Sequence, residues 1–271
     1  MSRKRKRARL RNKSRQRTPR TVKPNQNIFE TTRENVENFS DNIVETVVDA
    51  VEYVKPKLRG WFHLGAIPVV FLGGLFLLII APTVEQRTAI AVFVFTSVTL
   101  FSVSATYHRT NGWISVKWTK LLQKVDHSSI ALNIAGTTTP FAVIMLSGAP
   151  QWVLLGVVWF CSLTVVVFKL FTVSSPPLLN VIVFIGVALI PFFFAPVLYN
   201  DLVLSVGPRA LHLFMLIFAG GLFYSVGGVI FGMRPRWSEF KPGVFGFHEL
   251  FHLLTILGFL CHYIAIVLLV I

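Results

Sequence analysis

FHLGAIPVVFLGGLFLLIIAPT, residues 62–83, is a continuous apolar run without Asp, Glu, Lys or Arg. A helix of this length crosses the ~30 Å hydrocarbon core of a bilayer. Because the apolar residues do not alternate with polar ones, the run indicates a helix and not a barrel strand. Similar runs follow at approximately 88–107, 127–147, 151–172, 179–198, 210–232 and 248–271. The sequence therefore predicts an all-α membrane protein, a seven-transmembrane helical bundle that is multi-pass in the cell membrane.

The distribution of basic residues predicts the orientation of these spans. The chain carries a net charge of +14, and much of the excess lies in an N-terminal tail. If the tail is cytoplasmic, the loops at 108–126, 173–178 and 233–247 are inside. These loops and their helix ends hold Arg109, Lys117, Lys120, Lys124, Lys169, Arg234, Arg236 and Lys241, whereas the outer loops hold only Arg87 and Arg209. The positive-inside rule then places the N-terminus in the cytoplasm and the C-terminus outside, and the charge does not indicate nucleic-acid binding.

Three regions are predicted along the chain. Residues 1–26 form a disordered basic tail. Residues 27–59 form an amphipathic helix on the cytoplasmic side, because apolar residues recur there every three or four positions. Residues 60–271 form the seven-transmembrane domain. No apolar core near the start marks a cleavable signal peptide, and two cysteines, Cys161 and Cys261, are too few for a disulfide framework or a Cys-rich zinc module.

Ionisable residues collect at one predicted face of the membrane. Such residues are costly to bury in a bilayer and often mark functional sites. The second span ends at His108, the third begins at Asp126, and the seventh begins at His248. All three positions fall on the predicted cytoplasmic side, although they are far apart in sequence. The pattern therefore predicts one site built from three helices.

Histidine spacing indicates that this site binds a metal. His248 and His252 are four residues apart and share one helix face. With His108 they complete a three-histidine site whose open fourth position is typical of catalytic zinc. Asp126 is placed to hydrogen-bond a water at that position, and Ser104, one turn before His108, to orient the water or a substrate carbonyl. We therefore predict Zn²⁺ as cofactor, three histidine ligands, and Asp126 and Ser104 as catalytic residues.

The remaining histidines have simpler interpretations. His63, His127 and His212 are each expected to be interfacial or hydrogen-bonded residues. His262 lies fourteen residues beyond His248, or ~21 Å along a helix axis, and cannot bind the same metal. A core or cavity-lining position is expected for it.

Glu249 offers a second interpretation of the same helix. Residues 248–252 read HELFH, which matches the H-E-x-x-H pattern of zinc proteases whose glutamate is the general base. An intramembrane protease would present the same five residues. In that alternative Glu249 takes the role that the three-helix interpretation gives to Asp126.

Four motifs together resemble the hemolysin III branch of the progestin and adipoQ receptor (PAQR) superfamily. They are Ser104-Ala-Thr-Tyr-His108-Arg109, Val125-Asp126-His127-Ser128, Gly136-Thr-Thr-Thr-Pro140 and His248-Glu-Leu-Phe-His252. The resemblance covers residues 60–271. It implies seven transmembrane helices, a zinc ion held by the three histidines, an aspartate at Asp126 that contacts the zinc-bound water, and a lesser role for Glu249.

Two classes of function follow. Kinship of the PAQR superfamily with alkaline ceramidases implies a zinc-dependent hydrolase of a lipid amide or ester, whose partner is a membrane lipid. The haemolytic naming of bacterial members implies a non-enzymatic sensor or cytolytic protein with structural zinc. The sequence indicates no nucleic-acid partner and leaves the oligomeric state open.

Overall fold

The structure is a computed structural model that describes Val36, Phe39 and residues 58–110, 112–172, 177–233, 239–241 and 244–271. The chain divides into two units, Met1–Val54 and Lys55–Ile271. Val36 and Phe39 are helical and exposed. The predicted basic tail 1–26 and the rest of the predicted amphipathic helix 27–59, up to residue 57, lie outside the described residues. The description below concerns the second unit.

Long apolar helices make up most of this unit. They are α1 (Trp61–Ile80), α2 (Val84–Thr110), α3 (Val116–Met145), α4 (Gly148–Phe171), α5 (Pro177–Ala188), α6 (Ile190–Phe193), α7 (Ala195–Val206), α8 (Ala210–Met233) and α9 (Phe247–Val270). A 3₁₀ turn, Gly207–Arg209, joins α7 to α8. Within the described ranges, six helical stretches are long and apolar enough to cross a membrane, with Ala195–Met233 counted as one. The predicted multi-pass, all-α membrane protein is thus confirmed.

The predicted fifth span, 179–198, is not one continuous helix. It is divided among α5, α6 and α7, and the stretch Leu178–Phe193 is shorter than the other candidate spans. Pro191 and Pro196 each occupy one of the first two positions of a new helix. Proline lacks an N–H and clashes with the preceding turn, so it begins a helix more readily than it continues one.

Contacts between neighbouring helices and aromatic rings in the core hold the bundle together. The most extensive helix contacts join α2 to α3 and α8 to α9, followed by α3 to α4 and α1 to α2. α3 is the most buried of the candidate spans, and its inner face is mainly small and polar. Phe93 and Phe101 from α2 pack on Phe259 from α9, with ring centroids 5.4 and 5.7 Å apart. These aromatic contacts hold α9 against α2.

A small antiparallel strand pair precedes α9. Strand β1 (Glu239–Lys241) pairs with β2 (Phe245–Gly246), and α9 begins at the next residue. The Leu58 N–H donates to the Val244 carbonyl at 3.3 Å, which ties the segment before α1 to this pair. The sequence patterns did not predict these strands. They fix the position at which α9, and with it His248, enters the helix bundle.

Candidate metal centre

The structure brings His108, His248 and His252 together. One nitrogen from each ring lies within 4.8 Å of the others. The ring centroids are 4.5 to 5.1 Å apart. His108 and His252 are buried, and His248 is partly buried. Two residues that are 140 positions apart in the chain, His108 and His248, therefore share one site.

Helix geometry explains how these rings meet. His248 and His252 lie on successive turns at the start of α9, so their side chains project from one face. His108 lies in the last turn of α2. Gly60, with φ of 83°, brings the chain close to that turn, and a Cβ there would lie 3.0 Å from the His108 Cβ. Only a residue without a side chain fits this approach comfortably.

The donor set fits a metal ion with imidazole ligands. The Nε2 atoms of His108 and His248 are 3.0 Å apart. This separation suits an N–H···N hydrogen bond, and it is also close to the ~3.4 Å between two ligands of one tetrahedral zinc. The Nδ1 atom of His252 is buried without a hydrogen-bond partner in the described part of the chain. A buried donor or acceptor without a partner is unfavourable, and a cation would provide one for the nitrogens facing it.

Asp126 and Ser104 form a polar pair between α3 and α2, the helix that carries His108. Both are buried, and the Ser104 hydroxyl is within hydrogen-bonding reach of the Asp126 carboxyl. Ser104 is one turn before His108 on α2, and Asp126 is on α3, the helix packed most closely against α2. Among the described residues, the three histidines have ligand atoms within 4.8 Å of one another. Asp126 is not part of that group. Asp126 is therefore outside the set of candidate ligands.

The contacts of Glu249 indicate a role other than general base. Its side chain is fully buried, and one carboxylate oxygen forms an ion pair with Arg59 Nε at 3.0 Å. The other oxygen accepts from the Gly246 N–H at 2.9 Å and caps the start of α9. Both oxygens are therefore engaged in holding α9 in place. This geometry favours a structural role for Glu249 over that of a general base.

His63 adds a fourth imidazole that the sequence interpretation left out of the site. Its ring stacks on His252, with centroids 3.9 Å apart and planes 16° from parallel, and meets the edge of Phe101. It is 2% exposed, and neither ring nitrogen has a hydrogen-bond partner among the described residues. The prediction that His63 is hydrogen-bonded is thus wrong for the described part of the chain, and its position at a membrane interface stays a prediction. A histidine in the first turn of the first span carries no spacing signal that links it to His252, 189 residues further along the chain.

Comparison with known proteins gives the relationship of the chain. The family profile described as "Haemolysin-III related" matches residues 51–263. Hemolysin-3 of Bacillus cereus is 29% identical over 218 residues, which span 80% of this chain and 92% of that protein. The Hemolysin-3 homolog of Bacillus subtilis is 37% identical over 119 residues, 44% of this chain and 53% of that protein. Heptahelical transmembrane protein 5 of Arabidopsis thaliana is 36% identical over 74 residues, 26% of this chain and 20% of that protein. The chain belongs to the haemolysin-III-related family of membrane proteins.

Proposed function

We propose that this protein is a zinc-dependent hydrolase of a lipid amide or ester. The observation that carries the proposal is the convergence of three imidazoles, and the buried Asp126–Ser104 pair between α3 and α2 supports it. Three imidazoles leave one position of a tetrahedral zinc open for a reactant. A fourth protein ligand would suit a purely structural ion better.

Each residue then has a distinct task. His108, His248 and His252 would hold the ion. Zinc, when bound, supplies Lewis-acid chemistry that polarises a carbonyl group and activates water. The Asp126 carboxylate takes the proton of the attacking water and returns it to the leaving group, as general acid–base residues do. The Ser104 hydroxyl, which is within hydrogen-bonding reach of Asp126, would orient that carboxylate.

The proposal includes a topology. We place the N-terminus in the cytoplasm, count α5 to α7 together as the fifth of seven crossings, and place the C-terminus outside. The excess of Lys and Arg in alternate loops supports this orientation. The His108, Asp126 and His248 positions then lie in the cytoplasmic leaflet. A lipid would reach them sideways from the bilayer, with its amide or ester near the headgroup level.

A second candidate is a non-enzymatic membrane protein in which the metal only joins α2 to α9. The name Hemolysin-3 of the relative from Bacillus cereus favours it, because that name describes cell lysis and not hydrolysis. The burial of the three-histidine cluster is compatible with both candidates. A measurement of lipid hydrolysis is therefore needed to distinguish the two candidates.

The first experiment combines metal content with a lipid panel. Full-length protein is purified in detergent, its zinc is measured, and it is incubated with ceramides, N-acyl lipids and glycerolipid esters. We expect about one zinc per chain and release of fatty acid that is lost in Asp126→Ala. His212→Ala is a suitable control, because His212 is an exposed histidine on α8. Stoichiometric zinc without turnover on any of these lipids would support the structural candidate, and turnover that survives Asp126→Ala would refute the proposed role of Asp126.

The protease alternative is tested with further variants of the same protein and a membrane-embedded peptide as substrate. Turnover that is abolished by Glu249→Gln and retained by Asp126→Asn would favour a protease, provided that both variants remain folded. The engagement of both Glu249 oxygens predicts the opposite pattern.

A further inference from the structure

A second group of buried polar side chains lies deeper in the bundle than the metal centre. His262 is ten residues beyond His252 on α9, or ~15 Å along the helix axis. The Tyr224 ring of α8 lies against it, Asn133 of α3 lies beside Tyr224, and Ser97 of α2 donates a hydrogen bond to Asn133. We call this group the inner polar cluster: Ser97, Asn133, Thr137, Tyr224 and His262. It shares no residue with the three-histidine site.

The hydrogen bond of His262 fixes what its ring offers. Its Nε2 lies 3.0 Å from the Ile217 carbonyl oxygen. A carbonyl can only accept, so Nε2 carries the hydrogen, and Nδ1 of the neutral ring is an acceptor. Nδ1 is buried and has no hydrogen-bond partner in the part of the chain that the structure describes. The Nδ1 atom of His262 is therefore a buried acceptor that could bind a hydrogen-bond donor from a ligand.

Tyr224 brings a hydroxyl to the same place. Its ring lies 5.6 Å from the His262 ring. The hydroxyl lies beside the Asn133 side chain, whose Oδ1 already accepts from Ser97 Oγ at 3.0 Å. It forms no hydrogen bond of good geometry within the described residues, although it is buried. Tyr224 thus presents a second buried polar atom without a partner.

Thr137 supplies a third such atom. It is one turn from Asn133 and one turn from Phe141, whose ring lies 5.5 Å from His262. Threonines in helices commonly donate to the carbonyl four residues back, as Thr138 does to Ile134 at 2.9 Å. The Thr137 hydroxyl has no such bond and no other hydrogen-bond partner among the described residues. This is unusual because Thr137 is buried, with only 6% of its surface exposed. Its hydroxyl remains able to bind a group that the described residues do not provide.

Glycines on α8 and α9 make room for the two rings. A Cβ at Gly220 would lie 2.5 Å from the His262 ring, and a Cβ at Gly258 would lie 3.0 Å from the Tyr224 ring. Each ring is therefore seated directly against the backbone of the opposite helix. The close packing of α8 on α9 brings the two rings to a centroid distance of 5.6 Å.

We propose that the inner polar cluster binds a hydroxyl group, which belongs either to a water molecule or to a lipid alcohol. Two hydroxyls can donate or accept, and one imidazole nitrogen accepts. This set matches the ~3 hydrogen bonds that a buried water typically makes. None of the five side chains is a Lys, Arg, Asp or Glu, so the cluster suits a neutral group better than a phosphate or carboxylate. The proposal does not depend on the metal or on hydrolysis.

The sign of a stability change tests whether the cluster is occupied. Thr137→Val and Tyr224→Phe each remove one of the unpartnered atoms from full-length protein. If the cluster holds a hydroxyl group, each variant loses a hydrogen bond, and we expect Tm in detergent to fall by about 2–4 °C. If the cluster is empty, each change removes a buried polar atom without a partner, and Tm stays level or rises. Level or higher Tm in both variants would overturn the proposal.

Matched variants separate binding from packing. Thr138→Val makes the same change one residue away, where the hydroxyl bonds only to its own helix, and defines the effect of the substitution itself. Thr137→Ser keeps the hydroxyl and should stay close to wild type. A common guest also predicts that the loss in Thr137→Val/Tyr224→Phe is smaller than the sum of the two single losses. A Thr137→Val loss no greater than that of Thr138→Val would contradict the proposal.

Lipid removal identifies the source of the hydroxyl. The same variants are compared in delipidated detergent, with and without added 1-dodecanol, and with dodecane as the apolar control. For water, the loss in Tyr224→Phe is the same in every sample. For a lipid alcohol, 1-dodecanol but not dodecane raises the Tm of wild type, and Tyr224→Phe does not respond. If Tyr224→Phe is level in every sample and wild type ignores the alcohol, the proposed site is refuted.

Discussion

The metal centre and the inner polar cluster lie on the same helix, α9, and solve the burial of polar groups differently. At the metal centre, imidazole nitrogens converge within 4.8 Å, an arrangement that suits a cation. In the inner polar cluster, a histidine bonded to a carbonyl meets two neutral hydroxyls, an arrangement that suits a neutral guest. Both groups of polar side chains are buried. They differ in the kind of ligand that they suit, which is a cation in one case and a neutral group in the other.

The sharpest test of this contrast is to remove a histidine from each region. We expect His248→Ala to lose nearly all bound zinc, because two imidazoles seldom retain the ion that three hold. His262→Ala should keep about one zinc per chain, since it lies ~15 Å beyond His252. Metal analysis of the purified variants, with His212→Ala as the exposed control, checks both expectations. Comparable zinc loss in His262→Ala and His248→Ala would show that the two regions are not independent.

The second test concerns Asp126, which we assign to proton transfer and not to metal binding. Asp126→Asn should retain zinc while its hydrolytic rate falls by about 10²–10⁴-fold, the range that general acid–base groups contribute. Zinc content and turnover are measured on the same preparation. Loss of zinc in this variant would instead make Asp126 a ligand.

Glu249 provides a third test, because it adjoins a proposed ligand and has a structural environment. Glu249→Gln removes the charge that pairs with Arg59 and weakens the cap on α9. We expect a loss of about 1–3 kcal/mol in stability, the usual penalty for disrupting a buried polar contact. Zinc content should be unchanged. Thermal unfolding and metal analysis measure the two effects, and unchanged stability with abolished turnover would restore the general-base interpretation.

Sequence patterns predicted the parts of this molecule that depend on local periodicity. Continuous apolar runs located the long helices, and the four-residue spacing of His248 and His252 located two members of the three-histidine cluster. The division of the fifth predicted span was not predicted, because prolines occur within continuous membrane helices as well as at their starts. Long-range pairs such as Arg59 with Glu249 were also missed. Nothing local to either residue indicates a partner 190 positions away.

The inner polar cluster was missed for a related reason. Its members are single polar residues on separate helices, and each alone resembles an ordinary core residue. Thr137 is flanked by Thr138 and Thr139, which bond to their own helix. Thr137 differs from them because its hydroxyl has no hydrogen-bond partner among the described residues. The expectation that His262 is a core or cavity-lining residue agrees with its burial.

The smallest expected effect comes from His63. This residue contacts a proposed metal ligand, while its own ring nitrogens have no hydrogen-bond partner among the described residues. Its ring stacks on His252, so its removal should loosen that ligand without deleting a metal bond. We expect His63→Leu to weaken zinc affinity by about 10-fold, at the lower end of the range for residues that support metal ligands.

His63→Phe keeps an aromatic ring on His252 and separates stacking from chemistry. If stacking alone is what His63 contributes, zinc titration by competition with a chelator should give wild-type affinity for His63→Phe and a reduced affinity for His63→Leu. Equal weakening in both variants would mean that a ring nitrogen of His63 takes part in the site. A loss as complete as that of His248→Ala would make His63 a fourth ligand. The centre would then be closed, as structural zinc sites are, and the hydrolase proposal would give way to the non-enzymatic one.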